Sequence, residues 1–311
     1  MSGTNQNIES APKRLPWRLA AGAILVMFLW AICFPLINLG LVDSPPMLFA
    51  ALRATLSGTV LLIAAHWLRR PAIGGRANWG RIVVVGLTAT SIGFFGMFYG
   101  GGRVSPGLAT VIANTQPLIA AALAWIFLSE HLTVVQRYGL AAGFAGIVLI
   151  GAPSISGAGS QLSGIVFILL AAVGIAVSNV VLKRLAGTVD ILRAMGWQLL
   201  IGALPLAVLA LLIEDPRAIV WSLPFILNLI TLSVLGTSAA FVLWFALLRR
   251  ASLSQLNVFT FLTPIFGLLM GVLFFQEQLH ALELSGIAVS LLGIYLVSRP
   301  PRIQASVEEH S

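Results

Sequence analysis

Ten apolar runs, most of them long enough to cross a bilayer, leave this chain few folds to choose from. They lie near 19–39, 46–68, 82–99, 107–128, 134–151, 162–182, 192–213, 223–248, 254–275 and 281–298. A spanning helix needs ~20 mostly apolar residues, so each run is read as one span, the runs near 18 residues as short ones. Charge excludes the soluble alternative. Only 9% of the residues are charged and 59% are hydrophobic, with a mean hydropathy of +0.99. A soluble domain carries about 25% charged residues, and this chain has too few to cover a water-facing surface. The expected fold class is therefore an all-α integral membrane protein with ten transmembrane helices. The run 19–39 exceeds the ~7–15 residues of a signal-peptide core and reads as a retained helix.

The formal net charge of +8 reads as an orientation signal rather than as a nucleic-acid footprint, because the basic residues fall in short clusters between spans. With a cytoplasmic N-terminus and ten spans, fifteen of the 18 Lys and Arg fall on the cytoplasmic side, among them Lys13, Arg14, Arg69, Arg70, Lys183, Arg184, Arg249 and Arg250. Arg103 and Arg217 fall on the other side, and Arg53 lies inside the second span. This split predicts that both termini are cytoplasmic.

The chain also repeats itself. A shift of 147 residues superimposes Thr90-Ser91 on Thr237-Ser238, Phe94 on Phe241, Pro117 on Pro264, Glu130 on Glu277, Gly139 on Gly286 and Gly146 on Gly293. The implied organisation is a cytoplasmic tail (1–18), a first five-helix repeat (19–152), a linker (153–161), a second five-helix repeat (162–298) and a cytoplasmic tail (299–311). Five is odd, so the second repeat enters the membrane from the opposite face. Inverted repeats of this kind enclose a ligand site near the midplane and open alternately to the two sides.

The stretch Trp30-Ala-Ile-Cys-Phe34-Pro35, Arg53 early in the second span, Pro117 followed by Leu128-Ser-Glu130-His-Leu132, and the second copy Pro264…Gln276-Glu277-Gln-Leu279…Gly286…Gly293 resemble the ten-helix EamA type of the drug/metabolite transporter superfamily. The resemblance covers nearly the whole chain. It implies an exporter-like carrier, with the fifth and tenth helices tying the halves together. Within that family the chain is similar to the YddG-type exporters of aromatic and other neutral amino acids. A multidrug or other metabolite exporter is the alternative.

Several residues are candidates for lining a substrate cavity. An intramembrane arginine is costly and by default functional, and the Arg53 guanidinium suits a carboxylate; snorkelling, or bonds to backbone carbonyls, is the competing reading. Pro117 and Pro264 remove backbone donors mid-span and mark a hinge or kink, with Asn114, Thr260 and Phe261 beside them. Trp30 and Phe34 share a face of the first span, Ser91 and Tyr99 one of the third, and Trp244 continues a stripe from Thr237 on the eighth. Asn179, Trp197 and Gln198 complete the set on the sixth and seventh. Aromatic faces with a few polar groups suit an amphipathic ligand; core packing is the competing reading for each.

Glu130 and Glu277 stand at turns, where a proton or gate site competes with simple capping of the following helix, and capping is the reading adopted. No acidic residue falls mid-span and His66 lies near a span end, so no proton relay is expected and transport is read as facilitated or by exchange. Gly139, Gly143 and Gly146, echoed by Gly286, Ser290 and Gly293, allow close helix approach. Cys33, the one cysteine, is expected to pack as a small hydrophobe. The four histidines lie at or beyond span ends, so a serine–histidine or metal-assisted enzyme lacks its parts, and no charge ring marks a channel. No metal, cofactor or nucleic-acid partner is expected. The expected partners are a small-molecule substrate and the lipid of a bacterial inner membrane, and the expected working form is a monomer.

Overall fold

The computed structural model describes residues 16–116, 118, 119, 122, 133–155, 160–185, 187–248, 250, 259 and 262–297. The helical stretches among them are labelled in chain order. α1 is Trp17–Ala31 continued by Cys33–Gly40, α2 is Pro46–Trp67, and α3 is Arg76–Val85, a π-helical Gly86–Ile92 and Gly93–Gly101. α4 is Pro106–Ala113, α5 is Val134–Ile155, α6 is Ser160–Leu185 and α7 is Ile191–Ile213. α8 is Leu223–Ser233, a π-helical Val234–Ala239 and Ala240–Leu248; α9 is Leu262–Phe275 and α10 is Ala281–Val297. No strand occurs among the described residues.

Six of these stretches are long and apolar enough to cross a membrane: Trp17–Gly40, Pro46–Trp67, Arg76–Gly101, Gln161–Leu182, Ile191–Ile213 and Leu223–Trp244. Val134–Ile150, Leu262–Phe275 and Ala281–Leu296 are apolar but shorter. Pro117, Glu130, Thr260 and Phe261 lie outside the described residues. Large apolar side chains such as Val148, Val166, Leu204, Leu211 and Leu269 project outward, more than half exposed. In water such a surface would aggregate; in lipid it matches its solvent.

The interior is made by pairing across the halves; α5 with α10, α2 with α7 and α4 with α9 run antiparallel, five places apart in the order. In α5 and α10, a Cβ on Gly146 would lie 2.5 Å from the Ser290 nitrogen, and one on Gly293 2.4 Å from the Gly143 nitrogen. Backbone therefore touches backbone, which only glycine permits. α2 and α7 cross the same way, with the Gly58 position 2.9 Å from the Gly196 carbonyl oxygen. α4 meets α9 where Gly267 faces Thr110. α3 packs on α6, its Gly96 against the Phe167 carbonyl, and α1 packs on α8.

The connecting turns gather at two ends. At one, the Val220 N–H donates to the Asp43 carbonyl (2.8 Å), the Ser222 hydroxyl to the Asp43 carboxylate (2.9 Å), and the Met47 and Leu48 N–H groups to Glu214 (3.0 and 2.8 Å). α2 begins at that end, so its first orphan donors are capped by a carboxylate from the other half. At the opposite end, Arg193 Nε donates to the Arg70 carbonyl (3.1 Å), and Arg70 pairs with Asp190 (3.8 Å).

If backbone contact holds α5 to α10, Gly146→Leu lowers the yield of monodisperse detergent-purified protein several-fold by size-exclusion chromatography. Gly80→Leu, at a position with nothing within 4 Å, leaves that yield unchanged.

Candidate substrate site

Arg53 stands in the second turn of α2, yet only 3% of it is exposed. Its side chain turns inward rather than snorkelling, and among the described residues it donates to no backbone carbonyl. Nε and Nη2 donate to the Thr237 hydroxyl of α8 (3.2 and 3.1 Å), and Nη2 also reaches the Cys33 sulfur (3.5 Å). Thr237 is free to accept because its own hydrogen goes to the Leu232 carbonyl five residues back (3.1 Å), a geometry the π-helical turn supplies. The guanidinium carbon lies 4.6 Å from the centre of the Phe94 ring and 5.7 Å from that of Phe98, both faces electron-rich toward a cation.

Two features of this arginine remain unbalanced. Nη1 is buried without a hydrogen-bond partner, and the ion pair found among the described residues is Arg70–Asp190, not one to Arg53. An unmade bond of this kind costs about 1–3 kcal/mol, more for a charged group. Cys33 is correspondingly more than a small hydrophobe: its thiol donates to the Leu29 and Gly236 carbonyls (3.3 and 3.6 Å) while its sulfur faces Arg53.

The same contact occurs a second time without the charge. Gln198 follows Arg53 by 145 residues and accepts from the Thr90 hydroxyl (2.7 Å), where Thr237 follows Thr90 by 147. Beside it, the Ser91 hydroxyl donates to the Gly202 carbonyl (2.9 Å), as that of Ser238 does to the Ser57 carbonyl (3.1 Å). The two π-helical segments that present these hydroxyl pairs occupy matched positions in α3 and α8. π-Helical turns concentrate at functional sites. Sequence reasoning singled out Arg53, Gln198 and the repeated Thr-Ser pair, but not that the first two grip the third. Phe94 appeared only in the repeat, without a role.

The other expected residues are dispersed around this centre. Trp30 packs against Phe241 and Trp244, with ring centres 6.4 and 5.4 Å away. Phe34 is buried among Val104, Leu108 and Ile112. Tyr99 stacks on Phe95 and meets Phe167 and Arg103, and Trp197 packs on Trp79. Asn114 terminates α4 and donates to the Thr110 carbonyl (2.9 Å), while Thr115 bonds back to the Ile112 carbonyl. Both bonds stay within the last turn of α4, at the carbonyls of Thr110 and Ile112. Pro264 lies buried in α9. The side chain of Asn179 lies outside the described set, as do Thr260 and Phe261.

The capping expectation for Glu277 is corrected. α10 is capped by its own Glu283, which accepts from the His280 N–H (2.9 Å). Glu277 instead accepts from the Gly107 N–H at the start of α4 (2.7 Å). The competing donor won because α4 opens with Ser105-Pro106-Gly107, whose free N–H points at the α9–α10 turn. No group of three or more His, Cys, Asp or Glu able to hold a metal occurs among the described residues.

An all-helical bundle with lipid-matched outer faces, helices paired across two halves and a buried unbalanced cation is a multi-pass membrane transporter. The chain belongs to the EamA-like transporter family, whose model matches residues 17–152 and again 162–299. It is 31% identical to an uncharacterized transporter of Synechocystis, over 99% of this chain and 95% of that one. It is 30% identical to the uncharacterized transporter YvbV of Bacillus subtilis, over 94% and 95%. A probable amino-acid metabolite efflux pump of Salmonella typhimurium is 27% identical, over 88% and 92%. One solved crystal structure shares the fold with a TM-score of 0.62 at 22% identity, over 91% of this chain and 96% of that one.

Removing the hydroxyl that holds Arg53 leaves two guanidinium N–H groups unpaired. Thr237→Val therefore lowers the midpoint of thermal unfolding in detergent further than Thr90→Val, which frees only a neutral amide oxygen. The difference corresponds to about 1–2 kcal/mol. Equal shifts would mean that the Arg53 contact carries no more than its uncharged counterpart.

Proposed function

We propose that this transporter exports small amphipathic metabolites bearing a carboxylate, aromatic and other neutral amino acids among them, by alternating access between two inverted five-helix repeats. The observation that carries the reading is the buried Arg53 Nη1, an unpaired donor on a cation with no countercharge among the described residues. A carboxylate supplies both the missing acceptor and the missing charge. Phe94, half-buried and packed over the same guanidinium, offers apolar surface for the rest of such a ligand.

The inverted arrangement is supported by the antiparallel pairing of helices five apart and by the matched Arg53–Thr237 and Gln198–Thr90 contacts. In this reading there are ten spans, both termini are cytoplasmic, the membrane is a bacterial inner membrane and the unit is a monomer. The two π-helical segments form the surfaces along which the halves rock. The relatives named amino-acid metabolite efflux pumps are in keeping with the substrate class. A cationic drug is the less favoured cargo, because it would meet an uncompensated positive charge.

The test is ligand-induced thermal stabilisation of purified protein. A ligand at 100 times its Kd stabilises by about 2.7 kcal/mol. An aromatic amino acid raises the unfolding midpoint and its decarboxylated amine does not. Arg53→Gln weakens amino-acid binding roughly 10- to 100-fold, the value of a charge-assisted hydrogen bond of ~1.5–3 kcal/mol. Stabilisation by the amine, undiminished in Arg53→Gln, would favour the multidrug reading instead.

A further inference from the structure

Glu277, like Asp43 and Glu214, is a turn residue whose carboxylate joins the two halves, but one of its oxygens is buried without a partner, and the Arg53 site does not use it. It follows Gln276, a non-glycine residue with φ of 54°, a left-handed conformation that a side chain adopts at a cost. That kink aims the carboxylate back between α9 and α4. Two glycines make room for it. A Cβ on Gly271 would fall 2.4 Å from its carboxyl carbon, and one on Gly107 2.6 Å from Oε2. Oε1 accepts from the Gly107 N–H (2.7 Å), while Oε2 is buried with no hydrogen-bond partner. The carboxylate also borders a polar recess of about 360 Å³, lined with Ser105, Gln161, Gln278, His280 and Glu283.

We propose that Glu277 is a proton-operated latch. It takes up a proton when the α9–α10 turn closes on the start of α4, and releases it when this end of the transporter opens to water. Protonation puts the hydrogen on buried Oε2 and leaves Oε1 as the acceptor for Gly107, so the contact survives neutralisation while the cost of burying a charge disappears. Burial pushes the Glu277 carboxyl up from the ordinary carboxylate range. The bonds from Gly107 and Ser105 pull it down, and the charge of Glu283 pushes it up again.

The sign follows from linkage. A carboxyl whose pKa is higher in the closed arrangement than in water binds its proton more tightly when closed. Closure is favoured in full below the ordinary carboxylate range and loses that support as pH rises through the raised value. The other titratable groups facing the latch are Glu283 and His280; α4 and α6 contribute Ser105 and Gln161, which do not titrate in this range. Closure at this end thereby couples a proton to the conformational cycle whatever the cargo, where the sequence offered a proton or gate site only as the alternative to capping.

The test measures the distance across the latch in the full-length protein in lipid nanodiscs, by pulsed electron–electron resonance. Spin labels are placed at Gln278→Cys and Gly102→Cys on a Cys33→Ala background. The wild-type latch gives a single short distance at pH 5 and gains a longer population as pH rises to 8. Glu277→Gln, which mimics the protonated carboxyl, gives the short distance at every pH. A wild-type distance that does not change with pH would overturn the proposal, as would a pH dependence that persists in Glu277→Gln and so belongs to His280 or Glu283. Because the readout needs no substrate, it stands or falls separately from the carboxylate reading of Arg53.

Discussion

In hydrocarbon, every polar group of the backbone must find its partner inside the protein, and helices gain nothing by hiding apolar surface from a solvent that is itself apolar. What remains to hold such helices together is close packing and the few hydrogen bonds that reach across. This chain relies on both at its crossings between halves. Glycines bring α5 to α10 and α2 to α7 at backbone contact. Buried hydroxyls tie α3 to α7 and α8 to α2. α2, α4 and α5 hold their counterparts five places on, and α3 and α1 pack across the halves on α6 and α8, so the interface between halves and the core of the molecule are largely the same surface.

Such an arrangement is suited to rocking. A contact between two pseudo-equivalent halves has two similar ways to be made, and small shifts at a packed interface resolve into discrete states. The π-helical turns of α3 and α8 matter here. Each carries a Thr-Ser pair, and the spare carbonyls of α8 accept from Thr237 and Ser238 five residues on. Against this near-symmetry, the exchange of Arg53 for Gln198 is the departure, and departures from local rules are where function is expected. The buried charge is costly to the folded protein and has no countercharge among the described residues.

Much of the fold was legible in the sequence because lipid imposes long apolar runs and backbone contact imposes glycines at fixed spacing. Gly146 and Gly286 announced the α5–α10 crossing, and the 147-residue shift announced the matched π-helical segments, though not that they would be π-helical. The helix break at Asn114 was foreshadowed by Pro117. The site was less legible. Arg53 stood out by charge alone, but its partners Thr237, Cys33, Phe94 and Phe98 come from three other helices, and their meeting is decided by helix rotation, which an almost uniformly apolar sequence scarcely encodes. The aromatic stripes of Trp30, Tyr99 and Trp197 were legible only in part for the same reason, since a stripe shows which residues share a face but not what that face meets. Glu277 was misread because capping of the next helix is a local rule, and a free donor from the other half competed with it.

The central claim, that the second half is the first turned over in the membrane, is tested most directly by the sidedness of Arg103 and Arg250, which the repeat makes equivalent. Single cysteines at these two positions, on a Cys33→Ala background in intact cells, are labelled with a membrane-impermeant maleimide before and after permeabilisation. With an inverted second half, residue 103 is labelled from outside and residue 250 only after permeabilisation. Labelling of both from the same side would contradict it.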